Sequence, residues 1–122
     1  MKYLVIALIF LKSSYVLACG ERKIPIDISV VKVSEDHFRL SFKAPQNFEG
    51  YYILTAQYEG NGNLVPMYDG HKENEYSFYE LEGGLAFFEN STITFGYGLK
   101  NTLCLHSESY DWEQVVRHCT EC

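Results

Sequence analysis

The chain reads as an all-β protein, an antiparallel β-sandwich of about seven or eight short strands. Three observations predict it. Apolar and polar residues alternate in brief runs, the period of a half-buried strand. Turn signals separate these runs at roughly 8–12-residue spacing, as in sandwiches. Helical periodicity is sustained nowhere over ten or more residues, and there is neither an internal repeat nor a low-complexity tract. Ten tyrosines, eight phenylalanines and one tryptophan suit pleated, half-buried surfaces, so most of them belong to a core.

Residues 1–18 have the form of a secretory signal peptide. Lys2 supplies the positive start, residues 3–11 the apolar run and Val16-Leu17-Ala18 the small-residue cleavage site. The apolar run is too short for a membrane span, which takes about 20 residues. A bacterial lipoprotein leader is the rival reading, because Cys19 follows directly. Cleavage leaves residues 19–122 as a single secreted, extracellular domain. The net charge is −6, and the leader carries Lys2 and Lys12 but no acid, so the exported chain is more acidic still. That balance excludes nucleic acid and anionic membrane surfaces as natural partners.

Ile24, Ile26, Ile28 and Val30 alternate with Pro25, Asp27 and Ser29, predicting a first strand with Pro25 at an edge or at its start. Phe38, Leu40 and Phe42 give a second strand with one clear core face. Residues 44–50 form a loop, and residues 51–58 a third strand rich in aromatic and β-branched residues. Gly60-Asn61-Gly62-Asn63 is the strongest turn signal. Residues 64–68 form a short weak segment and residues 69–74 a polar loop. Residues 75–80 read as another strand, broken at Glu82-Gly83-Gly84, and residues 85–88 are a brief apolar patch. Residues 112–116 read as a last strand.

Residues 91–112 carry the most information. Ile93, Phe95, Tyr97 and Leu99 alternate with Thr92, Thr94, Gly96 and Gly98, predicting a central strand with aromatics on one face and glycines on the other. Lys100-Asn101-Thr102 then turns the chain into a partner strand through Leu103 and Leu105. Glycine weakens a strand interior unless the strand bends or something approaches closely. The glycine face is therefore either a bend or a shallow shelf for a ligand.

The even number of cysteines, four, implies disulfides in a small secreted chain. The preferred pairing joins Cys104 to Cys119 across a turn at residues 107–111, and Cys19 to Cys122 across the chain ends. Exchanging Cys119 and Cys122 between those partners is nearly equivalent. Cys119 and Cys122 also form a C-x-x-C, but without a following helix or a second C-x-x-C it is not read as a redox or zinc pair. His37, His71, His106 and His118 fall on separate segments without metal-ligand spacing. Glu35/Asp36 and Glu80/Glu82 lie in or beside turns. There is no nucleophile elbow and no phosphate loop. The sequence thus predicts a binding protein, not an enzyme, with neither metal nor cofactor. Asn90-Ser91-Thr92 is an N-glycosylation sequon and predicts a surface turn.

The order FRLSF (residues 38–42), an aromatic strand ending in Tyr58-Glu59-Gly60-Asn61, YSF (residues 76–78) and the run from 85 to 112 resembles the N-terminal domain of insect β-1,3-glucan recognition proteins, also called Gram-negative bacteria-binding proteins. The similarity spans residues 24–113 and rests on spacing and aromatic pattern. In it, Phe95 stands at a family Trp, Tyr97 at a Tyr, His106 at an Arg and Trp112 at a late Trp. The resemblance implies an immunoglobulin-like sandwich that binds β-1,3-glucan or a microbial cell wall in innate immunity. Phe95, Tyr97, His106 and Trp112 would then contact sugar, with Tyr58 and Tyr68 as further aromatic candidates. Three departures stand out: Phe95 lacks the indole donor, His106 lacks the forked guanidinium, and the cysteines have no family equivalent. An extracellular protein as partner, on a fold that has lost glucan binding, is therefore the alternative function.

Overall fold

The structure is a computed structural model that describes Cys19, residues 22–120 and Cys122. The signal-peptide reading of residues 1–18 lies outside the described residues.

Strands β1 (Asp27–Ser34), β2 (His37–Pro45), β3 (Asn47–Phe48), β4 (Tyr51–Gly60), β5 (Asn63–Pro66), β6 (His71–Glu73) and β7 (Tyr76–Gly83) precede a short helix, α1 (Leu85–Phe88). Strands β8 (Ser91–Leu99) and β9 (Leu105–Asp111) and helix α2 (Trp112–Val116) complete the chain. One sheet has the order β1-β2-β7-β6. The other runs β3-β4-β8-β9, with β5 also paired to β4. All these strand pairings are antiparallel. This is the seven-strand order of an immunoglobulin constant domain with two short extra strands, β3 and β5, beside β4. The all-β sandwich expectation holds.

Alternation builds the core. Leu40, Phe42 and Ala44 of β2 face Ile93, Phe95 and Tyr97 of β8, and all six are buried. Phe95 sits 5.4 Å from the Phe42 ring and 5.6 Å from the Tyr79 ring, in tilted and edge contacts that aromatic pairs favour. Ile24, predicted to begin the first strand, instead precedes β1 and fills the core from outside the sheets. Asn61 and Gly62 both have positive φ, at 54° and 76°, and close the β4–β5 hairpin in two residues. That is the geometry an Asn-Gly turn favours.

Four sequence expectations change. Residues 112–116 are helical, because Asp111 and Gln114 form a capping box. The Gln114 N–H donates to Asp111 Oδ1 and the Asp111 N–H to Gln114 Oε1, each at 2.9 Å. Residues 107–111 continue β9 instead of turning, with each residue paired to β8. The polar stretch 69–74 holds β6, whose His71 stacks on Phe78 at 4.4 Å.

The fourth change concerns sulfur. Cys19 pairs with Cys104 and Cys119 with Cys122, so both the preferred pairing and its exchanged form are corrected. The reason is topological. Because β9 runs through residues 107–111, no turn brings Cys119 back to Cys104. The chain after α2 instead reaches the opposite sheet, where Cys119 bridges Val30. The segment before β1 lies along the loop ahead of β9. The Tyr51 hydroxyl donates to the Cys19 carbonyl at 2.7 Å and the Ile24 N–H to Glu108 Oε1 at 2.9 Å.

Candidate functional site

The polar groups that could meet a ligand gather at a window in the side of the sandwich. Two crossovers between the sheets frame it. At one end the chain leaves β2 for β3 through Gln46; at the other it leaves β5 for β6 through residues 67–70. Strand β4 forms one long side. Between its pairing with β3 and its pairing with β5, the outer edge of residues 53–56 has no strand beside it. Two hydrogen bonds seal the corners of this gap, Ile53 N–H to the Gln46 carbonyl at 3.0 Å and Met67 N–H to the Ala56 carbonyl at 2.7 Å. Lys72 of β6, with Ser77 and Tyr79 of β7, completes the frame around an open cleft of about 510 Å³. That volume falls in the range of small-molecule sites.

Position along each strand explains what lines the window. Ser77 and Tyr79 point inward by alternation on β7, and both are buried. Gln46 is held by its side-chain amide, which donates to the Tyr76 carbonyl at 3.1 Å, and by its N–H, which donates to the Glu75 carbonyl at 2.8 Å. Tyr52 is exposed on β4, and Tyr68, in the crossover, is 83 % exposed. Lys72 Nζ lies 3.6 Å from Asp69 Oδ2 at the mouth.

Ser77 Oγ is the unusual atom. The residue is 1 % exposed, and its hydroxyl has no hydrogen-bond partner among the described residues. Buried hydroxyls are normally paired, so an unpaired one on the floor of a cavity points to a group that arrives from outside. Beside it, burial pushes the Tyr79 phenol above its ordinary pKa, and the Asp69 carboxylate adds to the rise. Tyr79 therefore stays a neutral donor and acceptor. The window offers ring surface at the rim and hydroxyl, amide and paired charged groups inside.

Only one of the sequence-predicted sugar contacts lines the window. Tyr68 stands on its rim. Tyr58, Phe95 and Tyr97 are buried, because strand alternation turns them inward. Tyr58 stacks on Phe87 at 4.3 Å and donates its hydroxyl to the Phe87 carbonyl. Tyr97 donates to the Pro45 carbonyl at 2.9 Å. Trp112 is half-buried between Phe38 and Phe88. His106, partly buried on β9, is paired with Glu108 at 3.0 Å. Gln46, Tyr52, Asp69, Lys72 and Ser77 were missed, since no period or motif links them along the chain.

The glycine face has a different content. A Cβ on Gly96 would lie 2.6 Å from Thr55 Oγ1, and one on Gly98 2.8 Å from Leu54 Cδ1. The register shift of β4 between Ile53 and Thr55 carries these two side chains across the glycines. Thr55 and Leu54 thus cover part of the shelf, and with Gly96, Tyr97, Leu105, His106 and Ser107 they line a depression of about 360 Å³ on this face. Beside it, Leu54, Leu103 and Leu105 are exposed and make that face apolar.

Compared with known protein families, curated proteins and solved structures, the chain matches none. Among the described residues, no helix is long and apolar enough to cross a membrane and no group of three or more His, Cys, Asp or Glu side chains could hold a metal ion.

Proposed function

We propose that the protein is a secreted, non-catalytic carbohydrate-binding domain that recognises β-1,3-glucan or a related microbial-surface polysaccharide in innate immunity. The window carries this reading. Exposed Tyr52 and Tyr68 offer ring faces against which the C–H face of a sugar packs, while Gln46, Gln57 and Ser77 supply donors and acceptors for its hydroxyls. Hydrolysis of a glycosidic bond ordinarily takes two carboxyl groups flanking it. Asp69 is the one carboxylate lining the window, and it is paired with Lys72. The choice of β-1,3-glucan follows the family resemblance. Two disulfides suit an oxidising, extracellular compartment. Asn90 is exposed in the turn between α1 and β8, where a glycan can be accommodated; a mass decrease on enzymatic deglycosylation of the exported protein checks that.

Sedimentation with insoluble β-1,3-glucan at physiological salt tests the function. The wild-type protein pellets with the polymer and Tyr68→Ala remains in solution. Wild-type protein that stays in the supernatant rules glucan recognition out.

A second reading, an extracellular protein partner, is favoured by the apolar outer face at Leu54, Leu103 and Leu105. It requires a saturable protein ligand whose binding is lost in Leu105→Glu and kept in Tyr68→Ala.

A further inference from the structure

From the frame of the window we infer that it takes the end of a sugar chain, or a single branch unit, and not an internal stretch of polymer. The inference rests on the carbohydrate reading above and concerns what part of the saccharide enters. A groove that reads the interior of a polymer must be open at both ends, so that the chain passes in and out. This window is closed along the strand direction at both ends. Gln46 blocks one, tied to the start of β7 by its main-chain N–H and its side-chain amide. Pro66 and Met67 block the other, tied to β4 through the Ala56 carbonyl.

The uncovered edge of β4, residues 53–56, spans about 10 Å at the rise of a strand. Across the window, the edge of β4 faces Lys72, Ser77 and Tyr79 of the other sheet, so a ligand cannot leave through the far side without parting the two layers. The unpaired hydroxyl lies at the floor, not at the mouth. A sugar unit that satisfies it enters end-on, its leading hydroxyl reaching Ser77 and its ring passing Tyr68. The rest of the chain extends into solvent.

Titration calorimetry of the exported protein with β-1,3-linked oligosaccharides, from the disaccharide to the hexasaccharide, tests this. The expected result is an affinity that levels off at the disaccharide and changes by less than about threefold thereafter, a small step against the tenfold that corresponds to 1.4 kcal/mol. A larger rise with length overturns the inference while leaving the carbohydrate reading intact. Absence of binding at every length overturns that reading and the inference with it. Ser77→Ala removes a small hydroxyl that makes no well-formed hydrogen bond among the described residues, so the fold tolerates it. It is expected to weaken every oligosaccharide by the same factor, about fivefold for one hydrogen bond. Unchanged affinity in a folded Ser77→Ala protein overturns the end-on pose.

Discussion

Phe95 and Tyr68 are both aromatic, yet Phe95 is 0 % exposed and Tyr68 83 %. The interior between the sheets and the window in their side draw on the same residue types for opposite ends. Inside, rings from β2, β7 and β8 lock on one another and leave nothing for a ligand. At the window, Tyr68 is left bare on the crossover after β5, and Tyr52 on the outward side of β4. Aromatic content alone therefore says little about sugar binding. The side of the element on which a ring falls decides its use.

Phe95→Ala strikes the interior hardest. Loss of a ring enclosed on all sides is expected to reduce stability by about 3–5 kcal/mol, measured by denaturant unfolding. The sulfur pairs repeat the contrast. Cys19–Cys104 closes a loop with a sequence separation of 85, and Cys104 is buried, whereas Cys119–Cys122 spans a separation of 3 near the surface. Loop-closure entropy favours the longer loop, at about 4.6 kcal/mol against about 2 kcal/mol. Cys19→Ser/Cys104→Ser should accordingly lower the unfolding midpoint more than Cys119→Ser/Cys122→Ser does. Tyr97→Phe keeps the ring but leaves the buried Pro45 carbonyl without its donor, an expected loss of about 1–3 kcal/mol.

A pH titration reads the same interior. Burial, reinforced by Glu108, pushes the Tyr110 phenol up to about 12, and burial drives Tyr97 up further. A phenol whose folded-state pKa is raised adds stability that is fully present below the unfolded value of about 10. That stability is lost as the pH rises through the folded-state value. Denaturant midpoints should therefore decline from about pH 10 toward 12, with phenolate absorbance of Tyr110 appearing late in that window. Tyr68→Ala is the smallest structural perturbation, expected within about 0.5 kcal/mol of wild type in stability. It should nonetheless remove binding to glucan. A Tyr68→Ala protein that unfolds early would place that ring in the core after all.

How much of this could be read from the chain follows the same division. Strand β8 was legible because Ile93, Phe95 and Tyr97 leave a clean apolar face against threonine and glycine. The hairpin into β9 was legible from Lys100-Asn101-Thr102 and Leu105, but the strand's length was not, since Ser107 and Ser109 on one side and His106 and Glu108 on the other are all polar. Only its pairing with β8 reveals it. Helix α2 hid behind Trp112, Val115 and Val116, which read as a strand, although Asp111 and Gln114 stood at the spacing of a capping box. Beta-strand β6 is three residues of His, Lys and Glu with no apolar side to detect. The window was invisible for a different reason. Its residues come from separate stretches between positions 46 and 79, and only the crossovers bring them together. The sulfur pairing likewise turned on where β9 ended, which composition does not disclose.

The Cys19–Cys104 link has a mechanical consequence. Tension applied between Cys19 and Cys119 would pass directly across that bond into β9 and α2, bypassing strands β1 through β8.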